Sequence, residues 1–292
     1  MKIQFLLVPY DSGRREWRMG RGPSYLLKHG VGSGIRALGH EVEAEYVEPG
    51  GVHRPNPPAS TEIATSFSLY RELAARARDV RSRGALPIVV AGNCGATLGA
   101  VAAAMSNDKR DVGVLWLDAH GDFNTPESTT SGFLDGMSLA VLTGRCWTTL
   151  AGGIPGFAPV PERNVVLAGV RDLDAAEELL LEDSEVGVVR GPSIREAGVE
   201  RALAPALDQL RERVERIHVH LDADVIDARE ARANVFAAEG GLTISQLVDV
   251  ARAAASRFEI VSIAVTAYDP AIDTDGAVPG AIAQAIEAML PR

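Results

Sequence analysis

The sequence predicts a single three-layer α/β/α domain, in which a parallel sheet of about eight strands lies between two layers of helices. Three observations lead to this fold class. Short apolar runs recur along the 292 residues, each run is continuous rather than alternating in polarity, and longer amphipathic segments separate the runs. Continuous apolar runs are typical of strands buried on both faces, and repeated strand–helix–strand order is typical of a parallel sheet. We therefore expect residues 1–292 to form one domain.

The predicted elements follow from the same pattern, taken from the N-terminus. Seven apolar runs predict strands at residues 3–8, 87–92, 112–118, 164–170, 186–190, 216–222 and 259–265. The amphipathic segments between them predict helices, among them 61–83, 96–105, 174–182, 199–215, 243–257 and 281–290. Pro, Gly and Ser mark four predicted loops at 48–58, 124–136, 151–162 and 227–241. The second and fourth loops directly follow strands, at the sheet edge where parallel α/β folds bind ligands.

Composition and charge argue against several classes of protein. With 46% apolar and 23% charged residues, the chain has ample material for a core, unlike a disordered or collagen-like chain. A net charge of −10 without a basic run argues against a nucleic-acid partner. No stretch approaches the roughly 20 apolar residues of a membrane span, and the N-terminal apolar run is too short for a signal peptide. Because only two cysteines occur, we expect a cytoplasmic protein with no membrane partner.

Acidic residues follow two of the predicted strands with the same spacing. VLWLDAHGDFN places Asp118, His120 and Asp122 in phase, and IHVHLDADVID places Asp222 and Asp224 in phase. Residues at i and i+2 share one face of an extended segment, so these side chains converge at the sheet edge. A lone Asp at a strand end is usually a turn former or a helix cap, but two such pairs with an interposed His are hard to explain in that way. Converging carboxylates require a cation, and oxygen-rich sites with His suit Mn²⁺.

Four segments resemble one known family. DAHGDFN and DADVID resemble D-A-H-x-D-x-N and S-x-D-x-D-x-x-D-P, two signature segments of the arginase and agmatinase (ureohydrolase) family. AGNCGATLGA at 91–100 is similar to the family's G-G-D-H-S segment, and GVRDLDAAEE at 169–178 to its G-x-R-D-x-D-x-x-E segment. The segments occur in order across nearly the whole chain. The resemblance implies the arginase-type fold and a binuclear Mn²⁺ hydrolase that releases urea from a guanidino compound.

The resemblance also implies a role for each matching residue. Asp118 and Asp222 would bridge two metal ions, and a hydroxide held between the ions would attack the guanidinium carbon. The remaining implied ligands are Asp122 and Cys94 for one ion, and His120 and Asp224 for the other. The implied catalytic residues are His120, Asp122 and Asp135.

The loop after Asp122 favours an α-amino acid substrate such as L-arginine over a decarboxylated amine. In arginases, the residues that match Asn124, Thr129 and Ser131 hold the α-carboxylate of the substrate. Those that match Asp174 and Glu177 hold its α-amino group. Neutral donors facing a carboxylate and acids facing an ammonium are electrostatically complementary. Each residue alone could be ordinary loop composition, and only the set in register supports this assignment.

Cys94 is the first of three departures from the family pattern, because the family has a metal-binding His at this position. A thiolate makes the ligand set more negative and favours softer metals such as Zn²⁺ or Co²⁺. Alternatively, Cys94 is a small buried residue and one metal ion is weakly bound or missing.

The other departures concern proton transfer and guanidinium binding. In SGFLDG, which resembles S-G-N-L-H-G, Phe133 replaces an Asn and Asp135 replaces a His credited with proton shuttling. An Asp with an ordinary pKa near ~3.9 is a poor acid at neutral pH. Ala267 falls where the family's E-V-x-P segment has its guanidinium-binding Glu. Either Asp269 or another carboxylate substitutes, or the substrate is a modified guanidine such as N-hydroxyarginine.

Two further expectations complete the interpretation. His218 and His220 alternate with apolar residues within a strand, so we expect core histidines or histidines that support the site from behind. The expected partners are a small guanidino substrate and further copies of this chain in a homo-oligomer. A non-catalytic homologue that keeps the fold for regulation or assembly is the alternative to an enzyme, and the three departures favour it.

Overall fold

The strands form one large parallel sheet and one small antiparallel hairpin. The computed structural model describes residues 1–50, 59–105 and 112–291. In this part of the chain the strands are β1 (Lys2–Val8), β2 (Tyr10–Asp11), β3 (Arg14–Arg15), β4 (Glu41–Tyr46), β5 (Leu86–Ala91), β6 (Val112–Leu117), β7 (Val165–Val170), β8 (Gly187–Arg190), β9 (Arg216–Asp222) and β10 (Glu259–Thr266). Eight of them form a parallel sheet in the order β4-β1-β5-β10-β9-β6-β7-β8, and β2 pairs with β3 as an antiparallel hairpin.

Helices connect the strands and cover the sheet. They are α1 (Gly22–Leu26), α2 (Gly32–Ala37), α3 (Ala59–Ser82), α4 (Thr97–Ala104), α5 (Ser138–Thr143), α6 (Thr148–Gly152), α7 (Ala175–Glu182), α8 (Gly191–Ala197), α9 (Val199–Ala202), α10 (Ala204–Arg211), α11 (Ile244–Arg257) and α12 (Val278–Met289). Within the described ranges, no helix has the length and apolar character needed to cross a membrane.

The core lies on both faces of the large sheet, as continuous apolar strands require. In β1, Phe5 and Leu7 pack in one hydrophobic cluster, whereas the intervening Leu6 packs in another. The first cluster includes side chains of α10, α11 and α12, and the second includes side chains of α3, α4 and α5. The three-layer α/β/α architecture with an eight-stranded parallel sheet is therefore confirmed.

All seven predicted strands are present with ends within one residue of the prediction. The eighth strand, β4, has the sequence EVEAEY, in which glutamates alternate with smaller side chains, so it does not form an apolar run. It lies at the edge of the sheet and pairs only with β1, and charged edge strands discourage pairing between molecules. Its position at the edge explains why the pattern of buried strands missed it.

Other predictions differ in detail. The predicted helix 199–215 is two helices, α9 and α10, separated at Leu203 just before Pro205. The predicted loop 151–162 begins inside α6, and beyond Gly50 the predicted loop 48–58 lies outside the described residues. The segments 124–136 and 227–241 are irregular, apart from a single 3-10 turn that begins at Asp135. They follow β6 and β9, which are neighbours in the sheet.

Candidate metal centre and substrate cavity

Metal-binding side chains converge at the carboxyl ends of β5, β6 and β9. Within the described residues, two groups have ligand atoms that all lie within 4.8 Å of one another: Cys94, Asp118, His220 and Asp222, and Asp118, His120 and Asp224. Asp118 belongs to both groups. The structure thus brings together five of the six sequence-predicted ligands and adds His220. The sixth, Asp122, lines the cavity beside them and lies outside both groups.

The same local turn builds both acidic pairs. The Asp118 carboxylate accepts a hydrogen bond of 2.8 Å from the backbone N–H of His120, and the Asp222 carboxylate accepts one of 2.8 Å from that of Asp224. The Nδ1 atom of His120 lies 3.3 Å from Asp118 Oδ1 and 3.5 Å from Asp224 Oδ2. Sγ of Cys94 lies 3.0 Å from Asp222 Oδ2. These contacts bring together the carboxylates of Asp118, Asp222 and Asp224 and the imidazole of His120. The Cys94 thiol lies beside Asp222.

The electrostatics of the cluster favour a bound cation. Burial, together with repulsion from neighbouring carboxylates, raises the pKa values of Asp118, Asp122 and Asp222. Burial also raises the pKa of the Cys94 thiol well above its ordinary value. For His120, burial lowers the pKa, but the carboxylates of Asp224 and Asp118 outweigh it and raise the pKa to about 10. A bound divalent cation would stabilise the charged carboxylates, so the donor set fits a metal.

Asp122 supports the same conclusion independently. Its Oδ2 atom is buried and has no hydrogen-bond partner in the described part of the chain. Buried polar atoms are nearly always hydrogen-bonded, so an orphaned carboxylate oxygen facing a polar cavity indicates a missing partner. Asp122 also has a left-handed backbone with φ of 49°, which Asp tolerates better than most residues.

A cavity of about 290 Å³ opens above the cluster. Ten sequence-predicted site residues line it: Cys94, His120, Asp122, Asn124, Ser131, Asp135, Asp174, Glu177, Asp222 and Asp224. Asp118 is buried beneath them. Thr129 is not in the lining; its hydroxyl accepts a hydrogen bond of 3.0 Å from the backbone N–H of Gly132. The next residue, Thr130, lines the cavity instead and donates to Asp174 at 3.2 Å.

Nearly the whole chain matches one known family, since the profile described as Arginase family matches residues 1–290. The chain belongs to the arginase family. The arginase of Bacillus caldovelox is 30% identical to it over 246 residues, covering 82% of each chain. The arginase of Brucella melitensis is 29% identical over 297 residues, covering 100% of this chain and 96% of the relative. The solved structure of Bacillus caldovelox arginase superposes with a TM-score of 0.89 at 26% identity, covering 100% of this chain and 98% of that one.

Membership confirms the predicted family, fold and enzyme class. The chain is an arginase-family hydrolase of the amidinohydrolase class, and this family depends on a binuclear metal centre. The fold itself does not select the substrate. A formimidoylglutamase of Bacillus subtilis has the same fold, with a TM-score of 0.73 at 16% identity.

In this arginase-family chain, the predicted amino-acid pocket forms one wall of the cavity. The side-chain amide of Asn124 lies 3.4 Å from Asp174 Oδ2, and Ser128 Oγ donates to Asn124 Oδ1 at 2.8 Å. Glu177 is buried and accepts a hydrogen bond of 2.9 Å from the backbone N–H of Phe123. Burial raises its pKa to about 7 despite this hydrogen bond. This wall of the cavity therefore contains amide, hydroxyl and carboxylate groups.

Asp135, which replaces the family's proton-shuttling His, is not an ordinary carboxyl group. It accepts hydrogen bonds from the Asn93 amide at 2.8 Å and from the backbone N–H of Gly95 at 3.1 Å. Burial raises its pKa to about 7, although these hydrogen bonds oppose the shift. From the sequence alone, Asp135 is expected to have the ordinary pKa of an Asp and to be a poor acid at neutral pH. In the structure its pKa lies in the range that suits a general acid near neutral pH.

The cavity wall near Ala267 differs from the family pattern that the sequence resembles. Ala267 lines the cavity with a left-handed backbone, φ of 60°, and its carbonyl accepts a hydrogen bond of 2.7 Å from the Asn234 amide. Asp269 does not line the cavity, and its carboxylate accepts from the backbone N–H of Ala271. Phe133, the replacement for an Asn, stacks on Phe236 with ring centroids 5.8 Å apart. An apolar aromatic pair therefore replaces a polar side chain in the cavity wall.

Sequence reasoning missed three contributors to the site. His220 is fully buried, as expected of a core histidine, yet its ring lies in the first ligand group. Asn234 donates to Asp224 Oδ2 at 3.1 Å, and Phe236 lines the cavity. A signal existed only for His220, which precedes Asp222 by two residues and so shares its face of β9. Asn234 and Phe236 lie in an irregular loop, where spacing does not predict direction.

Proposed function

We propose that this arginase-family hydrolase cleaves a guanidino α-amino acid such as L-arginine with water, releasing urea and the corresponding amine. One observation carries the proposal: a single cavity is lined by five of the six predicted metal ligands and by four of the five residues predicted to hold the α-amino acid group. An enzyme for a decarboxylated amine would not need Asn124 and Ser131, which face the α-carboxylate.

The implied ligands for the two ions are Cys94, Asp118, His120, Asp122, Asp222 and Asp224. Mn²⁺ is the cation proposed for this oxygen-rich set, and the thiol makes Zn²⁺ or Co²⁺ the alternatives. When bound, two divalent cations supply a water that ionises near neutral pH and positive charge beside the reacting carbon.

The substrate is positioned by the wall described above. The carboxylates of Asp174 and Glu177 bind the α-ammonium group, and Asn124 and Ser131 donate hydrogen bonds to the α-carboxylate. Thr129 is predicted to assist at the α-carboxylate, and its hydroxyl lies 3.5 Å from that of Ser131. Holding both ends of the amino acid orients the guanidino carbon toward the acidic cluster.

Asp135 moves the proton that the leaving amine requires. Its pKa of about 7 leaves both the carboxyl and the carboxylate form populated at neutral pH. The carboxyl form donates its proton to the departing nitrogen, and the amides of Asn93 and Gly95 stabilise the carboxylate that remains. Phe133 and Phe236 reduce the access of bulk water to this region.

N-hydroxyarginine is the second candidate substrate, and Ala267 favours it. No carboxylate stands at this position to pair with an ordinary guanidinium, because Ala267 lines the cavity where the family's pattern has a Glu. The α-amino acid pocket would serve both substrates equally.

A screen for release of urea, or of hydroxyurea in the case of N-hydroxyarginine, tests both candidates. L-arginine, N-hydroxyarginine, agmatine and guanidino acids are each assayed after loading with Mn²⁺, Co²⁺ or Zn²⁺. We expect turnover of at least one of the two α-amino acids to exceed that of agmatine. Agmatine as the best substrate would contradict the pocket assignment. No turnover with two metal ions bound per chain would favour the non-catalytic homologue. A cytoplasmic location and a homo-oligomer stay predictions.

A further inference from the structure

The resemblance assigns His220 no role in metal binding, although this residue shares the face of β9 that carries Asp222. We propose that Nε2 of His220 is a protein ligand of the metal position that Cys94 serves, giving that position the donors Cys94, His220, Asp118 and Asp222. The inference rests on the proposed metal centre and adds to it a ligand outside the family's set.

The distances place His220 within reach. One ligand atom from each of the four residues lies within 4.8 Å of those of the other three, and all four residues are buried. Sγ of Cys94 is 3.0 Å from Asp222 Oδ2 and 3.3 Å from the hydroxyl of Thr266. The same hydroxyl is 3.4 Å from His220 Nε2. Donors at 2.0 to 2.3 Å from a common ion would be separated by roughly 3 to 4 Å, so small side-chain shifts suffice.

The ring of His220 is held in a suitable orientation. Its Nδ1 atom lies 2.7 Å from the hydroxyl of Thr97, which can accept the Nδ1 proton and leave the Nε2 lone pair free. The indole of Trp116 stacks on the ring, with centroids 3.7 Å apart and planes 18° apart. Metal-binding histidines usually donate their other N–H to an oxygen atom, which fixes the tautomer and the ring direction. Thr97 fills that position here.

The sequence shows a matching exchange of residue types. The family's His at position 94 is Cys in this chain, and the Ser that opens the family's S-x-D-x-D-x-x-D-P segment is His220. One imidazole is lost and another is gained within the same cluster. A set of one nitrogen, one sulfur and two oxygen atoms suits Zn²⁺ or Co²⁺ better than Mn²⁺. Asp122 is the competing fourth ligand, because its buried Oδ2 has no hydrogen-bond partner among the described residues.

The first test is a Co²⁺ titration of the metal-free protein, followed by the sulfur-to-cobalt charge-transfer absorption. This absorption reports only the thiolate position, and Cys94→Ser should abolish it. His220→Asn keeps a polar atom near Thr97 and removes the atom at Nε2. We expect it to weaken Co²⁺ binding at this position by about 100-fold. The matched control is His218→Asn on the same strand, because His218 is equally buried but contacts Ser262. Equal affinities in the two variants would overturn the proposal.

A second measurement needs no variant at His220 and so does not depend on its folding. Wild-type protein labelled with ¹⁵N-histidine is loaded with ¹¹³Cd²⁺, and nitrogen–cadmium couplings are counted by NMR. Two coupled imidazoles are expected, one from His120 and one from His220. A single coupled imidazole with two ions bound would reject His220 as a ligand while leaving the proposed metal centre intact. Failure of the wild type to bind any metal ion would overturn both proposals.

Discussion

At the scale of single residues, Asp118 shows why the cluster requires metal ions. Its carboxylate is 1% exposed and accepts hydrogen bonds from the backbone of His120 and from the indole N–H of Trp116, the latter at 3.1 Å. It is the residue common to both groups of ligand atoms. A buried carboxylate beside other carboxylates is costly unless a cation compensates it. The stability of the metal-free protein and its metal affinity are therefore opposed at this position.

We predict that Asp118→Asn lowers the metal content below two ions per chain and abolishes hydrolysis. Because the variant removes a buried negative charge, the metal-free protein should also become more stable, by on the order of 1 to 2 kcal/mol. Elemental analysis and thermal denaturation in a chelator measure the two effects. Asp172→Asn is the control, since Asp172 lines the same cavity but its side chain is 63% exposed. Two ions per chain in Asp118→Asn would contradict the assignment.

A second residue-scale prediction concerns substrate choice. Asp174→Asn should lower kcat/KM for the preferred α-amino acid substrate by about 30-fold, the equivalent of about 2 kcal/mol for a lost charge-assisted hydrogen bond. A guanidino acid that lacks the α-amino group, and so has no ammonium for Asp174 to bind, should lose much less. Asp183→Asn, just beyond the other end of α7, controls for changes in helix charge. Equal losses on both substrates would show that Asp174 does not contact the α-amino acid group.

At the scale of elements, hydrogen bonds from the Arg171 side chain link the loop after β9 to the end of β7. The guanidinium of Arg171 donates to the carbonyl oxygens of Gly169 at 3.0 Å, Asp224 at 2.8 Å, Ile226 at 3.1 Å and Ala238 at 2.9 Å. Buried carbonyl oxygens that lie outside the hydrogen-bond ladder of a sheet need another donor. The planar guanidinium, with its several N–H groups, supplies those hydrogen bonds here. The position of the Asp224 backbone depends on this arrangement.

Arg171→Lys should therefore destabilise the protein by about 2 to 3 kcal/mol, because one ammonium cannot satisfy carbonyls on three sides. Metal affinity should fall as well, since Asp224 would lose its fixed position. Arg229→Lys is the matched control, because Arg229 lies in the same loop with its side chain 62% exposed and paired with Glu239. Chemical denaturation and metal titration of both variants measure the effects. Equal stability of the two variants would mean that the carbonyls find other partners.

At the scale of the whole molecule, the parallel sheet gathers acidic side chains at one edge of a protein with a net charge of −10. Burial raises the pKa values of both Asp135 and Glu177 to about 7, well above their ordinary values. These two groups therefore hold more protons in the folded chain than in the unfolded chain between roughly pH 4 and pH 7. The stabilisation from these protonated groups is complete below their ordinary pKa values, and it is lost as the pH rises through 7.

We predict that Asp135 and Glu177 make the metal-free protein less stable as the pH rises from 5 to 7. Each fully shifted group contributes a slope of about 1.4 kcal/mol per pH unit. Asp135→Asn should reduce the slope by about that amount and should be more stable than the wild type above pH 7. Urea denaturation in a chelator at several pH values measures the slope. Parallel profiles for wild type and variant would show that the pKa of Asp135 is not raised by folding.

The sequence by itself determined seven of the eight strands of the large sheet, the three-layer architecture and the acidic pairs at the candidate metal centre. Each depends on short-range patterns: continuous apolar runs, and the period of two that puts Asp118 and His120, or Asp222 and Asp224, on one face. A turn that repeats at both strand ends then fixes the direction of these side chains. The same local order placed Asn124, Ser131 and Asp174 in the cavity wall.

Only the tertiary structure decided the properties that depend on contacts between residues far apart in the sequence. The raised pKa of Asp135 comes from burial and from the carboxylates of Asp11 and Asp118. The contact of His220 with the Cys94 cluster requires β5, β10, β9 and β6 to be assembled side by side. Thr130 rather than Thr129 lines the cavity because of the path of an irregular loop, which the periodicity of the sequence does not predict. Burial and electrostatic coupling are sums over neighbours that the fold brings together, so no local pattern contains them.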